Sequence, residues 1–598
     1  MKKKINQRFL LRLTLNWIFT IIIYLITFVV TILLIFIIDH YTQFFNLVEI
    51  SNSNSARYLL SSLIQSQAAI LAIVITVTLI AVQLVSSSYS PRVIKIFKTN
   101  ADFYILFFLY GLSIFFMSGI LKIIPEEDVI FQTQDTLHTK INTALVISFF
   151  TFTMLVPYIL NVLNILKPST IIEELAKDIT NENISKSAKI DANFKNDANP
   201  LIPILDVIRN SCIRHDFETT RKGLREIEQS GIDILKSDLS DSEVDGFILL
   251  FVNELESFAE LTVNLGDDNS SKEIVKILQN INETLIEINS HQSITRLNVL
   301  LKKIGMASTE KHIIKTPQKA INSIYKIGKA VINDDPEIYD QSILHLGDLA
   351  RNGIENKVEV PTLSAIFDLR LLGLEGLKKK RDKTAMKALW SLELIGKNKG
   401  IYNLIIHEDG WEEYSQTFED EDGAYEDTIV VGGTEYEISL FEETVRAVYY
   451  FGQVSIEQKL YNVSEDAIRK LQIIGENAII HRFDEKSVAD FLGHIGILAL
   501  GVESNKLTTL SLNALESIGK ASDESLKYTI YETALSLIRI GAEALKKDFG
   551  EIACSSAKIL MYLELKKIST STINDLLNFS SNYQEFKTFY LLMKEDNC

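Results

Sequence analysis

Four long runs of apolar residues dominate the first third of the chain. They extend over about residues 17–38, 67–86, 103–122 and 144–166, and their interiors carry no charged residue. Each run is close to the ~20 residues that an α-helix needs to cross ~30 Å of hydrocarbon. The pattern predicts a four-helix transmembrane bundle in residues 1–166.

The cations that flank these runs predict the orientation of the bundle, because segments on the cytoplasmic side of a membrane carry an excess of Lys and Arg. The segment before the first run and the one between the second and third runs are the basic ones, with Lys2, Lys3, Lys4, Arg8, Arg12, Arg92, Lys95 and Lys98. The other two connections are mainly acidic. We therefore expect a multi-pass protein of the inner (plasma) membrane with both termini in the cytoplasm.

The second run carries the uncharged polar residues Gln67, Thr76, Thr78 and Gln83. Hydrocarbon offers a glutamine no hydrogen-bond partner, so such a side chain must face another helix or water. Thr76 and Gln83 are seven residues apart and share one helix face, whereas Gln67 and Thr78 fall on the far side. Two interpretations stay open: a helix that lines a pore, or packing and hydrogen bonding inside the bundle.

A short basic segment follows the second run. Ser90 and Pro91 suit the start of a helix, on which Arg92, Lys95 and Lys98 would share one side. Such a helix could lie among the inner lipid headgroups and attract anionic lipid. An ordinary positive-inside loop is the alternative.

The stretch from Gln67 to Arg92 also carries a resemblance. Its residues Gln83, Ser90, Pro91 and Arg92 are similar to the signature of an uncharacterised prokaryotic membrane family, the domain of unknown function numbered 2254. The resemblance covers about residues 15–170. It implies a prokaryotic inner-membrane protein with several N-terminal spans, and it implies no activity.

A second pattern recurs in residues 301–598. It consists of a small residue, three apolar residues at helical spacing and a glycine, as in Ala320 to Gly328 and Ala467 to Gly475. The glycines return about every 23 residues, which is the length of one helix and its connection. Because glycine inside a helix costs about 1 kcal/mol relative to alanine, its regular return predicts that a neighbouring helix packs closely against it.

Two such units make about 45 residues, which is similar to HEAT and armadillo repeats in length and layout. The pattern therefore predicts an all-α protein in which the transmembrane bundle is followed by a cytoplasmic α-solenoid. A compact helical bundle with the same local signature is the alternative. Residues 167–300 are predicted to hold a polar linker and a helical domain, and residues 301–598 the helical repeats.

An acidic insertion interrupts the repeats at about residues 404–443. It contains a predicted β-hairpin around Gly432 and Gly433 and the acidic run Glu419, Asp420, Glu421 and Asp422. Insertions that break a repeat often carry binding sites. The acidic run is a candidate site for a cation or a basic partner, with a solvated acidic loop as the alternative.

Charge and motif content argue against several function classes. The net charge is about +4 over residues 1–166 and −21 over the rest, so the large acidic part would repel nucleic acid. Asp241 to Gly246 begins like a calcium-binding loop, but Val252 stands at the twelfth position, where a glutamate is required. His345 and His494 lie on predicted repeat helices and suit packing better than metal binding. We expect no enzyme and no cofactor.

These observations favour an integral membrane protein whose cytoplasmic helical-repeat domain acts as an interaction or sensing module at the inner membrane. Its expected partners are the lipid bilayer and a protein bound to the repeats, and a homo-oligomer is possible on this pattern. The alternative is an oligomeric ion channel in which the second span lines the pore and the repeat domain gates it. A sensor or defence effector that perturbs the membrane is a third interpretation.

Overall fold

The protein is seen in a computed structural model that describes residues 52–89, 93, 94, 97, 101–126, 136–180, 183, 199–237, 239–406, 438–484 and 486–596. Within these ranges the chain is almost entirely α-helical. It divides into two compact units, Met1–Leu239 and Ser240–Cys598. Each unit is described by itself.

The described part of the first unit contains three long apolar helices followed by three shorter ones. The long helices are α1 (Ser53–Ser88), α2 (Ala101–Ile123) and α3 (Thr136–Ile165), and the shorter ones are α4 (Pro168–Ala176), α5 (Leu201–Ile213) and α6 (Phe217–Leu235). All three long helices are long and apolar enough to cross a membrane. The second, third and fourth predicted spans are thus helices with the expected character, and the first, at 17–38, lies outside the described residues.

Polar contacts join the long helices at both ends. Nη2 of Arg57, near the start of α1, donates to the carbonyl oxygen of Ile124 at 3.3 Å and lies 4.0 Å from Oε1 of Glu126, just after α2. At the opposite end, Asn161 of α3 donates to the carboxylate of Asp102. Large apolar side chains such as Leu79, Phe115 and Leu160 are exposed on the outside of the bundle, which suits contact with lipid.

The second unit is an ordered series of helices. They are α7 (Asp241–Asn264), α8 (Asp268–Glu287), α9 (His291–Glu310), α10 (Lys315–Val331), α11 (Pro336–Asn356), α12 (Glu359–Lys378), α13 (Asp382–Gly396), α14 (Leu440–Glu457), α15 (Tyr461–Ile480), α16 (Ser487–Gly501), α17 (Asn505–Ala521), α18 (Lys527–Lys546), α19 (Gly550–Lys566), α20 (Thr570–Asn578) and α21 (Gln584–Asp596). Short 3-10 helices occupy Lys399–Asn403 and Ser581–Tyr583.

Each helix from α7 to α18 packs against the next helix and against the next but one. The odd-numbered and even-numbered helices therefore form two layers, as in proteins built of two-helix repeats. We call this series the repeat array. Three long apolar helices thus precede many packed helices that resemble helical repeats.

The repeat of two helices is also seen in the hydrogen bonds at the helix N-termini. Oδ1 of Asp268, at the start of α8, accepts hydrogen bonds from the backbone N and the hydroxyl of Thr316 in α10, at 2.9 and 2.6 Å. Oδ1 of Asp484, just before α16, accepts from the backbone N of Thr529 in α18 at 2.9 Å. The residues of these two pairs are 48 and 45 positions apart. Each aspartate thus caps the helix of the following repeat in the same layer.

The recurring glycine pattern is explained by two contacts. A Cβ placed on Gly475 would lie 2.9 Å from Cγ1 of Val488 in the next helix and 3.0 Å from Cδ1 of Ile518 in the next but one. Ile518 directly precedes Gly519, which is the next repeat glycine of the same layer. Val488 lies eight residues before Gly496, the repeat glycine of its own helix. In the same way, an added Cβ would meet the apolar residue directly before a later repeat glycine at five further positions: Gly328, Gly373, Gly396, Gly452 and Gly496. The predicted close packing at the repeat glycines is confirmed.

The acidic insertion separates α13 from α14. Its two ends pair as short antiparallel strands, β1 (Ile405–Ile406) and β2 (Ile438–Ser439), with Ile406 opposite Ile438. Ser439 then caps α14 by accepting a hydrogen bond from the backbone N of Glu442 at 3.4 Å. The rest of the predicted hairpin lies outside the described residues.

Candidate functional site

The three long helices enclose a polar layer between two apolar clusters. Nε2 of Gln67 donates to Oγ1 of Thr151 at 2.8 Å, and Oγ1 of Thr151 donates to the carbonyl oxygen of Ser148 at 2.8 Å. Ser113 of α2 is buried as well, and it lies between the residues that α2 contributes to the two apolar clusters. Toward one end the helices bury Leu60, Met117 and Ala144, and toward the other Val74, Tyr110 and Met154.

The structure separates the three polar residues that the sequence singled out on α1. Gln67 is fully buried and faces α3, whereas Thr76 and Gln83 are exposed on the outer face of the helix. The hydroxyl of Thr76 donates to the carbonyl oxygen of Ala72 at 2.9 Å, within its own helix. The hydroxyl of Thr78 lies 2.5 Å from that of Tyr158, on the buried side with Gln67. The predicted division of these residues over two faces agrees with this arrangement, and their role as pore or packing residues stays a prediction.

The Gln67–Thr151 hydrogen bond provides a test of the polar layer. We expect Thr151→Val to lower the stability of the protein in detergent micelles by about 1–2 kcal/mol, because it leaves the Gln67 amide buried without an acceptor. The exposed Thr153 bonds only to its own helix, so Thr153→Val is the matched control and should be nearly neutral. Thermal unfolding followed by circular dichroism measures both. Equal effects of the two substitutions would contradict a stabilising role of the layer.

Two further predicted sites lie outside the described residues. These are the lipid-headgroup candidates Arg92, Lys95 and Lys98, and the acidic candidates Glu419, Asp420, Glu421 and Asp422. Both sets remain predictions.

A row of aromatic side chains crosses the even-numbered layer of the repeat array. Tyr450 and Tyr449 of α14 have ring centroids 5.7 Å apart, and Tyr449 stacks on Phe491 of α16 at 4.7 Å with an interplanar angle of 16°. His494 is exposed, and its ring lies 6.2 Å from that of Tyr449. We call Tyr449, Tyr450, Phe491 and His494 the aromatic row. The three larger rings are half-buried, so each keeps a face or edge open to solvent.

Charged groups continue the aromatic row at both ends. On one side, the guanidinium of Arg370 in α12 lies 5.1 Å from the ring centroid of Tyr450. On the other, Asp490 of α16 lies 2.7 Å from Nη1 of Arg539 in α18. Stacked aromatics beside arginine are the composition enriched at the energetic centres of protein interfaces. Sequence reasoning missed this row, since its residues come from different helices and share no motif.

The remaining chemistry candidates are structural. The Asp241–Gly246 run forms the first turns of α7, capped by Ser240 and Glu243, and does not form a loop that could wrap a cation. His345 is buried, and burial together with the nearby charge of Lys302 lowers its pKa to about 4. The described residues contain no group of His, Cys, Asp and Glu side chains arranged to hold a metal ion.

One titratable group was not anticipated. Asp368 of α12 is buried, and neither of its carboxylate oxygens has a hydrogen-bond partner. Burial raises the pKa of this carboxyl to about 8, and the nearby charge of Lys326 acts in the opposite direction. Asp368 therefore carries a proton over much of the physiological pH range. An acidic residue between the apolar Phe367 and Leu369 was the only signal available in the sequence.

Comparison with known proteins supports the membrane assignment and little else. Residues 15–204 match a family model described as a predicted membrane protein, DUF2254, which confirms the resemblance noted from the sequence. No curated protein matches the chain. Among solved structures, a circular tandem repeat protein with a novel repeat topology is 12% identical, with a TM-score of 0.31, over 70% of this chain and 100% of that one. A computationally designed self-assembling cyclic homo-oligomer is also 12% identical, with a TM-score of 0.11, over 67% of this chain and 99% of that one.

Proposed function

With the match of residues 15–204 to a predicted membrane protein family as the premise, we propose that the protein holds a helical-repeat interaction or sensing module at the inner membrane. In this proposal the N-terminal spans anchor the chain, and the repeat array forms a cytoplasmic α-solenoid that binds a protein partner. The role is binding, without catalysis and without a cofactor.

The observation that carries this proposal is the aromatic row. Tyr449 and Phe491 stack across two helices that are each fixed by close packing, so the row is rigid before any partner arrives. Rigid aromatic side chains lose little conformational entropy when they are covered, which favours binding. The buried Arg370 under the ring of Tyr450 and the Arg539–Asp490 ion pair hold the two ends of the row in place.

Photocrosslinking in the native cells tests the binding surface. We expect p-benzoylphenylalanine at position 449 or 491 of the full chain to give a discrete crosslinked product. The control is the same amino acid in place of Trp390, which is exposed at 47% on the odd-numbered layer. A product at 449 and 491 but not at 390 supports the proposal. The product at 449 should also be lost on Phe491→Ala, and the product at 491 on Tyr449→Ala, because each substitution disrupts the aromatic row. Identical products at all three positions, or none at 449 and 491, would refute it.

The cytoplasmic placement of the repeat array has its own test. Asn54, at the start of α1, and Lys167, after α3, are both exposed and lie at opposite ends of the group of three long helices. From the flanking cations we expect a cysteine at 54 to react with a membrane-impermeant thiol reagent in whole cells, and one at 167 to react only after lysis. The reverse labelling would place the repeat array outside the cell.

The channel alternative has weaker support. A pore lined by α1 would need Thr76 and Gln83 to face water, and in one copy of the chain they lie on the outer surface of the bundle. The Thr76 hydroxyl already bonds to its own helix, so it has no need of water. The polar residue that does face inward, Gln67, bonds to Thr151. These contacts favour the packing interpretation, so ion conduction is not part of the proposal.

A further inference from the structure

The turn between α5 and α6 lies beside the end of a membrane-compatible helix. Asn210, in the last turn of α5, donates a hydrogen bond to the backbone oxygen of Tyr89, the residue that follows α1. The guanidinium of Arg214 lies over the ring of the same tyrosine, 5.8 Å from its centroid. The turn is therefore placed against the point at which the chain leaves the apolar region.

The depth of this point follows from helix geometry. The apolar run of α1 ends at Val85, and Tyr89 is four residues further, or about 6 Å at 1.5 Å per residue. The headgroup layer on each side of the hydrocarbon is roughly 5–8 Å thick, from the ~30 Å core and the 40–45 Å total. Tyr89 falls within that layer, where tyrosine is enriched in membrane proteins.

The turn exposes the side chains that suit a headgroup layer. Ile213 is 54% exposed, and Arg214 and His215 are exposed beside it. Phe217 is half-buried, with its ring 5.6 Å from that of His215. Apolar and aromatic side chains beside a cation form the pattern of segments that lie in a membrane interface.

The position of the turn is held from a second direction. Only two residues separate the end of α3 from the start of α4 at Pro168, and α4 packs against both α5 and α6. Nζ of Lys222 in α6 lies 2.7 Å from Oε1 of Glu173 in α4. The carboxylate of Asp216 caps α6 by accepting from the backbone N of Thr219 at 3.2 Å. The turn is thus attached to the ends of both α1 and α3.

We propose that the α5–α6 turn, residues Ile213, Arg214, His215 and Phe217, enters the headgroup layer of the bilayer and that Arg214 binds the headgroups of anionic phospholipids. The proposal rests on the membrane embedding put forward above. It gives the chain a lipid contact outside its spanning helices, formed by residues more than a hundred positions from α1. Arg214 and the phosphate of a lipid headgroup are complementary in charge and hydrogen bonding.

Spin labels on the full chain in lipid nanodiscs test the depth of the turn. In a background with all cysteines replaced by alanine, Ile213→Cys is labelled with a nitroxide, and its collisions with oxygen and with an aqueous nickel chelate are compared. Ile480, 74% exposed in the repeat array, is the control of the same residue type. We expect nickel accessibility at 213 to be several-fold below that at 480. A second label at His215 serves if the first variant does not fold. Equal nickel accessibility at 213 and 480 would overturn the proposal.

The lipid specificity is measured in the same system. We expect nickel accessibility at 213 to fall further when phosphatidylglycerol is added to phosphatidylcholine nanodiscs, and Arg214→Gln to remove this dependence. Lys222→Gln changes an exposed cation on α6 that is already paired, so it should leave the dependence intact. If Arg214→Gln and Lys222→Gln behave alike, Arg214 does not bind anionic lipid.

A label at Val77 separates failure of this inference from failure of the membrane embedding. Val77 is 53% exposed in the middle of α1, so its label should favour oxygen if α1 spans the bilayer. An oxygen-favouring label at 77 with a fully nickel-accessible label at 213 overturns the inference alone. A nickel-accessible label at 77 overturns both.

Discussion

Replacing Asp368 with asparagine is expected to stabilise the protein at pH 8 and to leave its stability almost unchanged at pH 4. The carboxyl lies in α12, where residues 361–370 are all buried, and it has no hydrogen-bond partner. Burial raises its pKa from 3.8 to about 8. Asparagine has nearly the same shape and never ionises, so it removes the cost of a buried charge.

The sign of the effect follows from proton binding. Between pH 4 and 8 the folded chain keeps the proton on Asp368 while the unfolded chain releases it, so rising pH favours the unfolded state. The slope for one group is about 1.4 kcal/mol per pH unit at most, which accumulates to several kcal/mol by pH 8. The benefit of Asp368→Asn should therefore grow from near zero at pH 4 and level off above pH 8.

Thermal unfolding of the detergent-solubilised protein from pH 4 to 9 measures this difference. Asp334→Asn is the control, because Asp334 is exposed in the turn between α10 and α11. Its difference from the unsubstituted protein should stay flat with pH. A flat difference for Asp368→Asn as well would show that this carboxyl is hydrated or paired in solution.

Adding one methyl group at Gly373 is expected to destabilise the repeat array by about 1–3 kcal/mol or more, since overpacking a dense core forces side chains and backbone to shift. A Cβ at this position would lie 2.7 Å from Cβ of Ala388 and 2.8 Å from Cε1 of Phe451. Both neighbours are fully buried, so neither can move aside without disturbing its own contacts.

Gly550→Ala is the matched control for Gly373→Ala. Gly550 starts α19, and apart from its adjacent residues and its own helix backbone no atom lies within 4 Å of the position of an added Cβ. Alanine there should be neutral or should stabilise by up to about 1 kcal/mol, because it lowers the entropy of the unfolded chain. The two melting temperatures, measured side by side, should move in opposite directions or differ by several degrees. Equal tolerance at both positions would contradict close packing at the repeat glycines.

Several features could be predicted from the sequence because they depend on the spacing of residues that lie close together along the chain. The length of an apolar run determines whether a helix can cross a membrane, so α1, α2 and α3 were expected. The seven-residue separation of Thr76 and Gln83 places them on one face, and the structure has them there. The repeating glycines indicated close helix packing, because a recurrent unfavourable residue needs a recurrent reason.

The tertiary structure decided which residues meet across the repeats. The period of about 23 residues indicated that helices stack, but only the packing shows that Ile518 fills the space at Gly475 two helices earlier. The aromatic row required α14 and α16 to lie side by side, and the contact of the α5–α6 turn with the end of α1 required Arg214 to reach Tyr89. The two residues of such a pair have no fixed spacing along the chain, so no local sequence pattern predicts their contact.

Asp368 shows the physical reason most directly. Its neighbours in sequence, Phe367 and Leu369, suggested only an acidic residue within a helix, and such a residue usually lies on a solvated face. Whether that carboxyl is charged depends on how many atoms from other segments exclude water from it, since burial is the largest influence on its pKa. Helix formation and membrane insertion depend on residues within a few turns of each other. Burial and contact depend on the whole fold, and so do the ionisation and binding properties that follow from them.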